Sequence, residues 1–170
     1  MHSRPPNNFQ LEDVILRTAE TADHAAIRQL YHATTLGGPS RENDTGADIE
    51  NLHDGYFADD GASGFWVACL REEIIGMIGV QRTGDNIAEL RRLRVRQGFR
   101  GIGVGRLLVE HAIGFCRERD YLKISLDVRL EQGPAITLIE KLGFTLARKR
   151  TIGDYEVADF YLDLYTEPKT

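Results

Sequence analysis

Val14-Ile15-Leu16-Arg17 is the first short apolar run of the chain and reads as a strand. Gly64 to Leu70 and Ile74 to Gln81 are almost continuously apolar, separated only by Arg71-Glu72-Glu73. They predict a hairpin covered on both faces. A turn at Asp85-Asn86 returns the chain as Ile87 to Val95, completing an antiparallel meander. That order argues against a fully parallel, doubly wound sheet. Lys123 to Val128 alternates polar with apolar and reads as a fifth strand. Phe144 to Thr151 and Glu156 to Leu164 supply the last two, around a turn at Gly153-Asp154.

Between the strands the period changes. Ala26, Ile27 and Leu30 recur at helical spacing, and Thr21 is placed to cap a helix from Ala22. Gly37-Gly38-Pro39-Ser40 ends it, and residues 39–46 read as a polar, mobile loop. Ala47 to Phe57 predicts a second helix, and Arg106 to Arg119 a third. The third carries Leu107, Leu108, His111, Ala112, Phe115 and Cys116 on one side, so His111 reads as a packing residue. A fourth helix runs from Ala135 to Leu142, with Pro134 in its first turn and Gly143 as its C′ residue. The strand 123–128 follows a helix, so it can lie parallel to Ile87–Val95 through a crossover. Residues 1–10, with Pro5-Pro6 and Asn7-Asn8, read as a disordered arm. Residues 11–165 read as one domain and 166–170 as a polar tail.

Composition narrows the classes. A chain of 170 residues is long enough to bury a core without disulfides or metals. A net charge of −5 disfavours a nucleic-acid partner. Cys69 and Cys116 lie on apolar runs, read as buried thiols and have no neighbours at metal-ligand spacing. No apolar run approaches the length of a membrane span and no secretory signal is visible, so no membrane partner is expected and cytoplasm is the expected compartment.

The chemistry concentrates at Arg100-Gly101-Ile102-Gly103-Val104-Gly105, followed by Arg106. A strand, a glycine-rich turn and a helix start form a natural anion site. The first N–H groups of the helix have no partners within it, and its dipole places partial positive charge there. Glycines let a phosphate approach the backbone, and Arg100 and Arg106 add charge at the rim. The dinucleotide fingerprint fails, because Arg106 stands where it needs glycine, and no Gly-Lys-Ser/Thr follows as a P-loop requires. On these residues alone the turn either cradles a phosphorylated ligand or is a strand-to-helix connection with none.

The pattern Arg-x-x-Gly-x-Gly at Arg100, Gly103 and Gly105 resembles the acyl-CoA pyrophosphate loop of the GNAT superfamily of N-acetyltransferases. Its flanks agree: Glu89-Leu90-Arg91-Arg92-Leu93-Arg94-Val95 is similar to that family's fourth strand, and Ala135 to Phe144 to its later helix and turn. The resemblance covers residues 65–164. It implies an α/β (α+β) fold with a mixed, mostly antiparallel twisted sheet, helices on both faces and a V-shaped cofactor cleft. It also implies an acyltransferase that moves acetyl from acetyl-CoA to a primary amine. The expected acceptor is a small-molecule or amino-acid-like amine, attacked directly in a ternary complex. A protein N-terminus or lysine is the alternative acceptor. A non-catalytic acyl-CoA sensor is the alternative from another class, and a nucleotide binder of unrelated fold a third. Homodimers are common in the family, though nothing in the sequence marks an interface.

The resemblance also assigns roles. The backbone of Leu93, Arg94 and Val95 would pair with the pantetheine arm, and Arg100, Gly101, Ile102, Gly103, Val104, Gly105 and Arg106 would hold the pyrophosphate. Gln132 stands where an asparagine often contacts pantetheine. Glu89 is the expected base, the alternative being a surface or salt-bridged glutamate beside Arg91 or Arg92. Ile139 occupies the position of the tyrosine acid usual in the family and cannot donate a proton. Protonation of the leaving thiolate by water, substitution by Ser125, Asp127 or Tyr155, and loss of catalysis all stay open. Tyr31, His32, His53 and Tyr56 are further candidates for the acceptor side.

Overall fold

In the computed structural model, which describes residues 4–33 and 44–165, all the strand-like runs join one sheet. The strands are β1 (Val14–Thr18), β2 (Gly64–Leu70), β3 (Glu73–Gly84), β4 (Ile87–Val95), β5 (Lys123–Arg129), β6 (Thr145–Ile152) and β7 (Tyr155–Asp163). Their spatial order is β1-β2-β3-β4-β5-β7-β6. Every neighbouring pair is antiparallel except β4 and β5. The sheet is therefore mixed and mostly antiparallel, as expected.

The helices are α1 (His24–Ala33), α2 (Ala47–Glu50), α3 (Leu52–Tyr56), α4 (Val104–Glu118) and α5 (Gly133–Lys141). They cover both faces, and a separate core forms on each. Alternate residues of β2 and β3 supply the two sides. Trp66, Ala68, Ile75, Ile78 and Val80 pack with Leu108, Val109, Ala112 and Ile139 from α4 and α5. Phe65, Val67 and Met77 pack with Ile27, Leu30, Ile49 and Tyr56 from α1, α2 and α3. This explains why 64–70 and 74–80 lack polar alternation: neither face meets water there.

Three local expectations change. Glu20, not Thr21, caps the first helical segment. Its N–H donates to Asp23 Oδ2 at 2.7 Å, and Asp23 is fixed in turn by Arg17. The expected helix 47–57 divides into α2 and α3 at Asn51, whose side chain accepts the Asp54 N–H and so caps a new start. The segment expected as a free arm is tethered at its end: the Phe9 N–H bonds to Pro6 O, and its ring lies edge-on to Phe99. Of the loop 39–46, residues 39–43 lie outside the described residues. Gly143 does terminate α5, with φ +97°.

Two features of β4 position the site. First, β4 pairs with β5 only at Ile87–Lys123, Ala88–Ile124 and Glu89–Ser125. Beyond Glu89 the strands part. β4 stays bonded to β3 as far as Val95, and β5 to β7 as far as Arg129. The edges that face each other across this opening, 90–95 and 126–129, carry no strand partner among the described residues. Second, β4 has a bulge at Arg92, which adopts φ +59°. The extra residue inverts the alternation. Ala88 and Leu90 face the α4 core before it, and Leu93 and Val95 face the same core after it. Glu89, Arg91 and Arg94 are thereby left on the α1–α3 side.

Candidate active site

The turn after β4 runs through a short 3-10 segment, Gln97–Phe99, into the glycine loop. Arg100 Nε donates to Val95 O at 3.0 Å and so closes the loop against the strand end. Gly101 (φ +77°) and Gly103 (φ +101°) both take the left-handed conformation that glycine tolerates. A Cβ on Gly101 would meet no atom within 4 Å, whereas one on Gly103 would lie 2.9 Å from Leu11 Cδ2. Gly103 is the N-cap of α4, and the first intrahelical bond runs from Leu107 N–H to Gly103 O. The earlier N–H groups of the turn, Val104, Gly105 and Arg106, precede any intrahelical acceptor. Ile102 is exposed at the loop tip. Arg106 is turned along its own helix, with Nε 2.8 Å from Glu110. Gln132 is the N-cap of α5, just beyond the end of β5.

On the α1–α3 side of the sheet, Glu89 is 6% exposed, with its carboxylate 3.6 Å from Arg91 Nε. Across the parallel register stands Ser125. Arg91 also donates to Gln81 Oε1 at 2.8 Å, and Gln81 is held on Gly55 O. Glu89 is thus both buried in the opening and salt-bridged.

Beside it lies a network that the sequence did not reveal. The Arg92 guanidinium makes four hydrogen bonds of 2.6–3.0 Å, two to Asp44 and two to Asp48, over the Tyr31 ring. Asp48 also accepts from Tyr56 Oη at 2.6 Å. Burial alone would raise the Asp44 and Asp48 carboxyls, but the hydrogen bonds and charge of Arg92 hold both below the usual carboxylate range. A doubled Arg91-Arg92 between Leu90 and Leu93 hinted at the bulge. Nothing in the sequence paired Arg92 with residues more than forty positions earlier.

This network has a pH signature. A carboxylate with a depressed folded-state pKa adds stability that is complete above its unfolded value and is lost as pH falls through the folded one. Denaturant midpoints should therefore stay level from neutral pH to about pH 5 and then fall. Asp48→Asn should be less stable at neutral pH and show a shallower acid limb. An unchanged acid limb in that variant would remove Asp48 from the account.

The other candidates separate clearly. Tyr56 is a fully buried post against Phe65, and burial raises its phenol pKa. His53 is exposed beside Asp54, and His32 lies at the surface against Tyr31. Ile139 is fully buried in the α4-side core. Asp127 pairs with Arg150 at 3.1 Å, and Tyr155 stacks on the Arg129 guanidinium at 3.7 Å. Burial pushes the Cys69 thiol up and the Cys116 thiol up to about 12, so neither is an activated nucleophile. Among the described residues no metal-holding cluster occurs, and no helix is long and apolar enough to cross a membrane.

A mostly antiparallel sheet that opens between its two parallel strands, with a glycine loop leading into a helix at the mouth, defines a class of acyl-CoA-dependent transferases. The chain belongs to the acetyltransferase (GNAT) family, whose model matches residues 24–144. It is 35% identical over 111 residues to the N-acetylaspartate synthetase of Danio rerio, covering 65% of this chain but 36% of that protein. The chain thus spans about a third of that relative's length. It is 26% identical over 139 residues to the streptothricin acetyltransferase of Escherichia coli, covering 80% of this chain and 79% of that protein. In fold it is similar to yncA, a putative acetyltransferase from Salmonella typhimurium solved with acetyl-CoA (TM-score 0.76, 22% identity, 92% of this chain and 97% of that one).

Proposed function

We propose that this chain is an acetyl-CoA-dependent N-acetyltransferase acting on the primary amine of a small-molecule or amino-acid-like acceptor. The observation that carries the reading is the parting of β4 from β5 beyond Glu89, with its glycine loop at the mouth. In this reading the backbone of Leu93, Arg94 and Val95 adds the pantetheine arm as a strand. The N–H groups from Gly101 to Arg106 receive the pyrophosphate, with Arg100 at the rim. Gln132 closes the far side at the end of β5. The proposed catalytic domain runs over residues 11–165.

The amine nitrogen attacks the thioester carbonyl carbon, whose developing negative charge falls on a β4 N–H. Glu89, directly or through one water, takes one proton of the ammonium before that attack and so frees the lone pair, and the second proton that the nitrogen must lose passes to solvent as the intermediate collapses. The C–S bond then breaks. A thiolate whose parent thiol titrates near 8.5 departs without an acid, so Ile139 in place of a tyrosine is tolerable, and solvent reprotonates the sulfur. The raised thiols support direct attack over a covalent cysteine intermediate. Similarity to an N-acetylaspartate synthetase from Danio rerio and a streptothricin acetyltransferase from Escherichia coli supports a small acceptor.

Titration calorimetry with acetyl-CoA, against ATP and NAD, tests the ligand. One selective site per chain is the expected result, and absence of acetyl-CoA binding would end the proposal. Gly101→Val is the sharper probe of the loop. A Cβ there meets no atom within 4 Å, so the variant's main cost is backbone strain of about 1–2 kcal/mol while it blocks the phosphate's approach. We expect affinity for acetyl-CoA to fall about tenfold or more. Gly103→Val would confound loop and core, because it drives into Leu11. The buried Ile139 also admits a binder that does not turn over. Tight acetyl-CoA binding with no product from a broad amine panel would establish that reading instead.

A further inference from the structure

Most arginines on the α1–α3 side of the opening have a carboxylate. Arg91 has Glu89, Arg92 has Asp44 and Asp48, and Arg150 has Asp127 and Asp159. Among the described residues Arg94 has none, and Arg129 has one on a single nitrogen. Arg129, the last residue of β5, is 8% exposed, yet its Nε and Nη1 are buried without any hydrogen-bond partner. Only Nη2 is engaged, with Glu131 at 2.9 Å, a carboxylate whose side chain is 54% exposed. Tyr155 covers one face of the guanidinium. On the opposite strand, Arg94 Nε is likewise buried and unpartnered, and Nη1 reaches only the carbonyl of Leu93. Burial and then the Arg92 charge push the Arg94 guanidinium pKa down, against a smaller opposing pull from Tyr31 and Asp44.

A buried guanidinium with open N–H donors is costly unless something anionic completes it. Strand alternation sets both arginines on the side of the sheet that carries Glu89 and Ser125. Val128 and Leu126 face the α4 core, which leaves Arg129 with Asp127 and Ser125 on the other face. After the bulge, Leu93 and Val95 face that same core and leave Arg94 opposite. Glu89 and Ser125 stand where β4 and β5 begin to part, and Arg94 and Arg129 stand on the two arms further out. Four residues of strand, about 13 Å, lie between the levels of Ser125 and Arg129. Arginine and glutamate side chains are long enough to shorten that span toward the scale of an amino acid.

We infer that the acceptor carries a carboxylate, taken up by the unpaired N–H groups of Arg129 with Arg94 opposite, while its amine faces Glu89. The inference rests on the acetyltransferase reading and names the acceptor class within it. A guanidinium suits this task because its planar fork binds a carboxylate through two bonds. A polyamine or other purely cationic acceptor would leave the open N–H groups of both arginines unfilled and add repulsion. An acidic group on acetyl-CoA is the other anion that the same N–H groups fit, and the test separates the two.

Initial rates of thiol release would be measured with matched amines: amino acids, their amides, the corresponding decarboxylated amines, and spermidine. The carboxylated member of each set should have the higher kcat/KM, by about 10–100-fold, the worth of one hydrogen-bonded charged contact. Arg129→Gln should raise KM for that member by a similar factor, leave kcat nearly unchanged and leave acetyl-CoA affinity intact. Arg129→Lys should recover part of the loss. Arg94→Gln gives an independent reading should the Arg129 variants fail to fold, as judged by circular dichroism. Equal turnover of carboxylated and carboxylate-free amines would overturn the inference and leave the acetyltransferase reading standing. Weakened acetyl-CoA binding in Arg129→Gln, with unchanged acceptor KM, would overturn it in favour of the cofactor as the anion. Calorimetric binding of amino acids to the CoA complex, abolished by Arg129→Gln but with no turnover of any amine, would uphold the carboxylate site and retire the transferase reading.

Discussion

Glu89→Gln is expected to lower kcat by about 10²–10⁴-fold, the usual worth of a positioned general base, while the dissociation constant for acetyl-CoA stays within about twofold. The substitution keeps the shape and leaves an amide oxygen for Arg91, whose other contacts run to Gln81 and Asp44. What it removes, in the proposed mechanism, is the lone pair that takes the ammonium proton. The ordinary ammonium pKa is near 10, so at neutral pH nearly every acceptor arrives protonated and needs such a base. Single-turnover rates with preloaded acetyl-CoA, together with a thermal melt, separate chemistry from folding. A variant with wild-type turnover and an unchanged melt would reduce Glu89 to a salt-bridge partner of Arg91. A pH–rate profile adds a second check: wild type and variant should converge as pH rises and free amine accumulates.

The second large effect is on stability. Arg92→Met should cost about 3–5 kcal/mol, because it strips two buried carboxylates of their counter-charge. Arg92 is 6% exposed on its side chain and binds Asp44 and Asp48 at once. It also sits at φ +59°, a conformation that non-glycine residues rarely hold. The four hydrogen bonds are what keep it there. Arg92→Lys should recover little, since an ammonium cannot fork to two carboxylates. Replacing Arg92, Asp44 and Asp48 together by apolar residues should be far milder than the single change. Denaturant unfolding of the three variants checks the order. An Arg92→Met variant within about 1 kcal/mol of wild type would show that solvent reaches the carboxylates and that the network holds little.

The sequence was most informative where one physical rule governs a segment. Gly143 after a helical run, Pro134 at its start, the two apolar runs around Arg71-Glu72-Glu73 and the glycine loop were all legible from local pattern. It was least informative where a second segment decides. Thr21 satisfies the general preference for a capping hydroxyl, but Asp23 is anchored by Arg17 from β1 and brings Glu20 into that role. Asn51 looks like an ordinary helix residue until its side chain caps the next N–H. The insertion of β7 between β5 and β6 leaves no trace in alternation. Of the candidate site, the glycine loop was legible from residue types and spacing, whereas Glu89 was singled out by the family resemblance. Arg129 was not legible, because two open N–H groups on a buried guanidinium are a fact about what fails to surround them.

The short seam between β4 and β5 has a mechanical meaning. Within the sheet, the β4–β5 ladder has only three residue pairs among the described residues, so β1–β4 and β5–β7 form two plates that meet along a brief seam. A ligand lying along both open edges would act as a strut between the plates. Acetyl-CoA should then add rigidity as well as reactivity, slowing amide exchange along 90–95 and 126–129. Its stabilisation of the whole fold should follow its concentration relative to its dissociation constant, about 2.7 kcal/mol at a hundredfold excess.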